Sequence, residues 1–226
     1  MLTLAIDTST NILSLALVRG DKVFASIDEQ TRNNQSEILM TRIEEMMAEC
    51  SLKPADLERI AVSVGPGSYT GIRVGVAAAK SLGYALDILV VGVSSLEVMA
   101  MATVSYDLRI PMIDARRDTV FAGVYDYDGT VIIPDGHYKR EKLIDELSSN
   151  VFESDIVSFI GDGAVNHKEI LLEKWPHANV VSESELERSK AEVLATLAAN
   201  RSPQENIHAL VPNYLRKTEA EMNAGV

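Results

Sequence analysis

One order of elements occurs twice in this chain, and that repetition limits the folds open to it more than any single motif does. Leu2–Asp7 and Ile12–Val18 are apolar runs of strand length separated by polar Thr8–Asn11. Arg19-Gly20-Asp21 turns the chain into a third strand, Lys22–Ile27. A helical period runs from about Ser36 to Cys50, followed by a strand at Ile60–Val64 and a long helix of small residues. A strand at Ile88–Val93 then leads to a helix capped by Ser94, with Glu97 three residues on. From Arg109 the order returns as strands Arg109–Asp114, Thr119–Asp126 and Val131–Tyr138, then helix Lys139–Ser149 and strand Ile156–Ile160. Helix Ala164–Lys174, strand Asn179–Ser182 and helix Ser189–Asn200 complete it. Each half opens on a strand ending in Ile-Asp, at Ile6-Asp7 and at Ile113-Asp114. The pattern is that of an internal duplication, giving two βββαβαβα lobes at 1–108 and 109–226, the second with a polar tail after Arg216.

Two such lobes, each with an Asp ending its first strand, resemble the actin, Hsp70 and sugar-kinase (ASKHA) α/β fold. In that fold two hairpins face each other across a cleft and their carboxylates organise Mg-nucleotide. A fold alone does not give a function, but it nominates residues. Asp7 and Asp114, with Gly161 and Gly163 of Ile160-Gly161-Asp162-Gly163-Ala164, form the candidate nucleotide-binding set. Each has a plainer reading. Aspartates at strand ends cap their own turns, and Gly-x-Gly after a strand makes a tight turn into a helix. The two hairpin turns, Asp7-Thr8-Ser9-Thr10-Asn11 and Asp114-Ala115-Arg116-Arg117-Asp118, contain no glycine to let backbone approach a phosphate. ATP or ADP is therefore expected only at low affinity or within a hetero-complex, with no cofactor required by the chain alone.

Charge narrows the partners. With 33 acidic against 21 basic residues the formal net charge is −12, a surface that repels polyphosphate. Any nucleic acid is expected to be held mainly by a partner. The single cysteine, Cys50, rules out an internal disulfide and suits the reducing cytoplasm. No apolar run approaches the ~20 residues that span a bilayer, and no membrane partner is expected.

The segment Ser63–Leu86 runs from a strand through a Gly-rich turn into the helix of small residues. No Gly-Lys-Ser/Thr follows, so it is not a Walker loop. Gly71, Gly75, Ala78, Ala79 and Leu82 form a stripe at spacings of three and four. Each helical glycine costs about 1 kcal/mol relative to Ala, which points to a close approach on that face. The neighbour is either the protein's own sheet or a helix of another chain. Leu39, Ile43, Met46 and Met47, on one face of the preceding helix, carry the same two readings.

Gly65-Pro66-Gly67-Ser68-Tyr69-Thr70-Gly71-Ile72-Arg73-Val74-Gly75, with Ile6-Asp7-Thr8-Ser9, resembles the TsaB (YeaZ) family. Ile113-Asp114-Ala115-Arg116-Arg117-Asp118 and Pro212-Asn213-Tyr214-Leu215-Arg216 extend the likeness over essentially the whole chain. The resemblance implies a non-catalytic scaffold subunit of the bacterial machinery that makes threonylcarbamoyladenosine beside the anticodon of tRNAs. It implies a TsaD-like catalytic paralogue and a TsaE-like ATPase as partners; with no partner present, an isologous face is expected to pair with itself, giving a two-fold homodimer. It also implies that the first two helices pair with a partner's, which assigns Leu39, Ile43, Met46, Met47, Gly71, Gly75, Ala78, Ala79 and Leu82 to an interface. The catalytic paralogue carries His-Leu-Glu-Gly-His where this chain has Ser95-Leu96-Glu97-Val98-Met99. A hydroxyl and a thioether do not replace two imidazoles at a zinc or iron site, so neither a metal nor a catalytic residue is expected here. Two other readings stay open in the same fold. An autonomous ATP-dependent small-molecule kinase would use Asp7, Asp114 and Gly161–Gly163. A metallopeptidase is disfavoured by the missing histidine pair.

Overall fold

In the first strand, β1 (Leu2–Asp7), successive side chains point to opposite faces, and both faces are buried. Leu2, Leu4 and Ile6 enter one core, while Ala5 enters another. The computed structural model describes residues 1–31, 34–104, 106–152, 155–204 and 206–216. The polar tail beyond Arg216 lies outside the described residues. β1 occupies the middle of a sheet of order β3-β2-β1-β4-β5, with β2 at Ile12–Arg19, β3 at Lys22–Gln30, β4 at Arg59–Ser63 and β5 at Leu89–Val93. The second sheet has the order β10-β9-β6-β7-β8. Its strands are β6 (Leu108–Asp114), β7 (Thr119–Asp126), β8 (Val131–Lys139), β9 (Val157–Ile160) and β10 (Asn179–Val181). β1 pairs antiparallel with β2 and parallel with β4, and β6 pairs in the same senses with β7 and β9. The duplication expected from element order is thus a duplication of sheet topology, and the fold is actin-like α/β.

Helices α1 (Gln35–Glu49) and α2 (Tyr69–Leu86) cover one face of the first sheet. On the second sheet α4 (Arg140–Asn150) and the pair α5 (Asp162–Asn166) and α6 (Lys168–Lys174) do the same. Sequence periodicity predicts one helix over Ala164–Lys174. The chain instead breaks at His167, whose N–H turns back to the Ala164 carbonyl.

The last helix of each half lies mainly against the other half's sheet. Helix α3 (Ser95–Met101) sets Leu96, Met99 and Ala100 against Ile113 and Tyr125 of the second sheet. Helix α7 (Lys190–Ala199) sets Ala191, Leu194, Ala195 and Ala198 against Ala5, Ala16 and Ala61 of the first. Alanine on both sides lets this helix sit close to the strands. Val98 and Ala102 join α3 to α7, so the two helices form a shared layer between the sheets. After α7 the chain stays with the first lobe. Ile207 and Leu210 pack on its core, and the Lys80 ammonium donates to the carbonyls of His208 and Leu210 at 3.0 Å each.

The small-residue stripe of α2 faces inward, onto the turn between β1 and β2. A Cβ on Gly71 would lie 2.1 Å from the Thr8 carbonyl oxygen, and one on Gly75 would lie 2.3 Å from Thr8 Oγ1. Gly67, at φ +153°, sits against the Ser9 carbonyl. Thr8 Oγ1 donates to the Gly71 carbonyl at 2.7 Å, and the Ser68 N–H donates to the Ser9 carbonyl at 2.7 Å. This corrects the interface expectation for most of the residues that carried it. Gly71, Gly75 and Ala79, with Leu39, Ile43, Met46 and Met47, are buried within the single chain and present no side-chain surface to a partner. Ala78 and Leu82 are half-buried at the edge of the same core.

The contrast between backbone and side-chain neighbours sets an order of effects. Gly71→Ala meets a carbonyl that cannot rotate away and should cost about 1–3 kcal/mol despite the better helix propensity of Ala. That corresponds to a fall in melting temperature of about 2–4 °C per kcal/mol for a chain of this size. Gly83→Ala meets only the methyl ends of Val90 and Ile207 and should cost less. A thermal melt in which Gly71→Ala is the more stable of the two would contradict this packing.

Candidate functional site

The two hairpin turns face each other across a cleft of about 1200 Å³ between the lobes. Ser9, Thr10 and Asn11 contribute from the first turn, and Asp114, Arg116 and Arg117 from the second. Gly67, Ser68 and Tyr69 form the wall where α2 begins. Only one of the four nucleotide candidates, Asp114, reaches this space.

Asp7 is fully buried beneath the first turn, on the α7 side of the sheet. Its Oδ1 accepts from the Ser9 N–H at 2.9 Å and from Ser9 Oγ at 2.7 Å, and its Oδ2 accepts from Ser63 Oγ at 2.5 Å. The ammonium of Lys190, itself 2 % exposed, lies 3.3 Å from Oδ1. Lys190 also donates to Thr10 Oγ1 at 3.0 Å and is ion-paired with Glu183. Burial pushes the Asp7 carboxyl up, but Lys190 and the three hydroxyl and amide donors outweigh it and hold the group below the ordinary carboxylate range. Lys190 is shifted the other way: burial opposes its charge, and Asp7 and Glu183 more than restore it. Both carboxylate oxygens of Asp7 are thus engaged by the chain itself and the group is fully buried, which corrects its assignment as an open cleft carboxylate.

Asp114 caps its own turn. Its Oδ1 accepts from the Arg116 N–H at 2.7 Å and its Oδ2 from Asn166 Nδ2 at 3.1 Å. It is half-exposed and borders the cleft. Gly161 and Gly163 do not line it. Gly161 has φ +101°, and a Cβ there would lie 2.6 Å from the Met112 carbonyl; one on Gly163 would lie 2.9 Å from the same oxygen. Close packing of a strand-to-helix turn on β6 accounts for both glycines, and this replaces the nucleotide assignment.

Sequence reasoning missed two features of the cleft. Arg116, Arg117 and Asp118 occupy left-handed backbone at φ 64°, 53° and 57°, in a turn that has no glycine. Non-glycine residues pay steric strain there, of order 1–3 kcal/mol each. The Asp114–Arg116 bond and Thr119 Oγ1 donating to the Arg116 carbonyl at 2.8 Å hold the turn in place. The second feature is a strap formed by Asn213–Arg216. The Asn213 N–H donates to the Val64 carbonyl at 2.7 Å in the first lobe, and Arg216 Nη1 donates to the Ala115 carbonyl at 3.0 Å in the second. Between them the Tyr214 ring stacks on Tyr69 with centroids 5.2 Å apart. The Pro212–Arg216 motif was the available signal, but nothing local in it indicates a bridge between lobes.

The positions that the family resemblance sets against a histidine pair point into the core. Ser95 and Met99 are each 1 % exposed, and Ser95 Oγ accepts from the Gly65 N–H at 3.1 Å. Among the described residues no three His, Cys, Asp or Glu side chains converge as metal ligands. Among them, too, no helix is long and apolar enough to cross a membrane.

A family profile described as TsaD, tRNA N6-adenosine threonylcarbamoyltransferase, matches residues 24–224. The tRNA threonylcarbamoyladenosine biosynthesis protein TsaB of Bacillus subtilis is 35 % identical over 225 residues, covering 98 % of this chain and 96 % of that protein. YeaZ from Pseudomonas aeruginosa superposes with a TM-score of 0.79 at 22 % identity, over 95 % of this chain and 99 % of that one. ROK hexokinase from Thermus thermophilus superposes with a TM-score of 0.52 at 12 % identity, over 88 % of this chain and 98 % of that one. The two structural likenesses establish the fold.

The buried pair makes a prediction about pH. A carboxyl held below its unfolded value of about 3.9 contributes stability that is fully present above that value and is lost as pH falls through the folded one. Unfolding free energy should therefore decline on acidification below about pH 4. Asp7→Asn should lose about 3–5 kcal/mol at neutral pH, because it leaves Lys190 buried with one carboxylate fewer, and its acid limb should be flatter. Denaturant titrations at neutral and acid pH check this; an unchanged acid limb in Asp7→Asn would exclude Asp7 as its source.

Proposed function

Since the chain belongs to the TsaB family of tRNA threonylcarbamoyladenosine biosynthesis proteins, we propose that it serves there as a non-catalytic scaffold. In this reading it pairs with a TsaD-like transferase paralogue, works with a TsaE-like ATPase and meets tRNA only within the complex. The observation that carries it is the state of Asp7. The carboxylate best placed by the fold to organise a metal-nucleotide is buried and held by Ser9, Ser63 and Lys190. A phosphate would also find Thr8 and Ser9 of the first turn covered by α2 rather than open to backbone approach. The glycines of α2 serve that covering. The net charge of −12 supports dependence on a partner for RNA contact, since counterion release needs a basic surface.

The burial pattern moves the proposed contact face to the outward side of the same helices. Arg73, Ala77, Ser81 and Tyr84 are exposed along α2, and Met40, Thr41 and Glu44 along α1. Small Ala77 and Ser81 between larger neighbours let a partner helix reach the short end of the 8–10 Å range. Used by two copies of the chain, this face gives a two-fold homodimer; used by a paralogue of like fold, it gives the heterodimer. The two assemblies then compete for a contact that should bury about 1,200–2,000 Å² in total.

Ala77→Arg tests the assignment. It should leave the melting temperature within about 2 °C of the parent, since surface changes stay near ±0.5 kcal/mol. It should weaken both self-association in sedimentation and co-purification with the paralogue by at least about tenfold, and lower threonylcarbamoyl transfer by the reconstituted complex to match. The isolated chain should neither turn over ATP nor shift tRNA. Unchanged association of the folded variant places the contact elsewhere, and ATP turnover lost on Asp114→Ala would favour the kinase reading.

A further inference from the structure

The buried ammonium of Lys190 takes no part in the partner contact proposed above, and its surroundings have a chemistry of their own. Three oxygen donors converge on Nζ: Asp7 Oδ1 at 3.3 Å, Thr10 Oγ1 at 3.0 Å and the carboxylate of Glu183. The side chains of Lys190 and Asp7 are 2 % and 0 % exposed, and that of Glu183 is 12 % exposed. Thr10 Oγ1 also donates to Glu183 Oε1 at 2.5 Å, so the donors are tied to one another as well as to the cation. They come from separate parts of the fold. Asp7 ends β1, Thr10 lies in the turn after it, and Glu183 opens a short 3-10 turn following β10. Two carboxylates and a hydroxyl around a single positive centre are the hard oxygen ligands that Mg²⁺, Mn²⁺ or Ca²⁺ takes. The group carries two negative charges against one positive, and without the ammonium two largely buried carboxylates would face each other.

We propose that Asp7, Thr10 and Glu183 form a divalent-cation site whose occupant in this chain is the Lys190 ammonium, so that the protein carries its cation covalently and excludes a metal ion from the position. Lys190 is the first residue of α7. Docking of that helix on the first sheet therefore delivers the charge, and the first hairpin turn is held in one shape without any exchangeable ligand.

Replacing the lysine by a short residue should release the site. In the full chain, Lys190→Ser should take up one Mn²⁺ per chain, read as loss of the free-ion electron paramagnetic resonance signal. Its melting temperature should rise by about 5–10 °C in saturating Mn²⁺. Glu183→Gln added to Lys190→Ser should remove both effects, which separates the site from adventitious binding by other surface acids. Lys190→Met, whose stem still fills the space, should bind none, and the parent chain should show neither uptake nor a shift. If Lys190→Ser is unfolded in metal-free buffer, recovery of the native circular dichroism on adding Mn²⁺ supports the proposal, and failure to recover overturns it. A folded Lys190→Ser that takes up no Mn²⁺ overturns it as well, as does a parent chain that binds Mn²⁺ through Glu183.

Discussion

The ion pair between Asp7 and Lys190 joins the end of the first strand to the start of the last helix, across 183 positions of sequence. Buried ion pairs contribute little net stability against a well-packed apolar alternative, because desolvation cancels most of the attraction. Their effect is on geometry: an unpaired charge at this depth is so costly that only the arrangement with both partners in place is populated. Here that arrangement sets α7 over Ala5, Ala16 and Ala61. It also fixes the turn from Thr8 to Asn11, since Lys190 reaches Thr10 as well. With that turn in position, Thr8 and Ser9 present the backbone on which the glycines of α2 close. One polar contact in the interior thus orders a helix, a hairpin and the opening of a second helix.

The cleft inherits its character from this chain of contacts. A hairpin that cradles phosphate must offer free amide groups and an unspent carboxylate, and in this one the Ser9 amide and the Asp7 carboxylate are committed inward. The Ser9 N–H goes to Asp7, and the Ser9 carbonyl receives the Ser68 N–H. The opposite hairpin is strained and lined with arginine, and the strap from Asn213 to Arg216 is bonded to both lobes.

Much of this architecture can be read from sequence because it rests on local periodicity. The apolar run Leu2–Asp7 and the returning Ile-Asp at Ile113-Asp114 are patterns of adjacent residues, and they define the strands and the duplication. The stripe on α2 was equally visible, yet periodicity reports only that a face is small. It does not report whether the neighbour is another chain or Thr8 of the same one, and here the nearer neighbour prevails. The candidate site fared worse for the same reason. Asp7 is legible as a strand-end carboxylate, but its partner lies far along the chain, where an Ala-rich helix gives no sign of an ammonium directed back. Gly161 and Gly163 looked like a nucleotide turn because Gly-x-Gly has the same spacing whether it admits a phosphate or the Met112 carbonyl.

The exchange of end helices has a consequence for how the chain comes off the ribosome. Synthesis proceeds from the N-terminus, and domains ordinarily fold as they emerge. The first sheet is complete once residue 93 has been made, but the helix that covers its alanine face ends at residue 199. Until residue 199 has been made, that sheet has one dressed side and one bare side. The bare side is lined with Ala5, Ala16 and Ala61 and with Val18, Val91 and Val93 rather than with leucine or isoleucine. Such a surface gives up little by waiting and offers little to a passing sticky chain. The same small side chains that let α7 sit close therefore also make the unfinished lobe a safe intermediate.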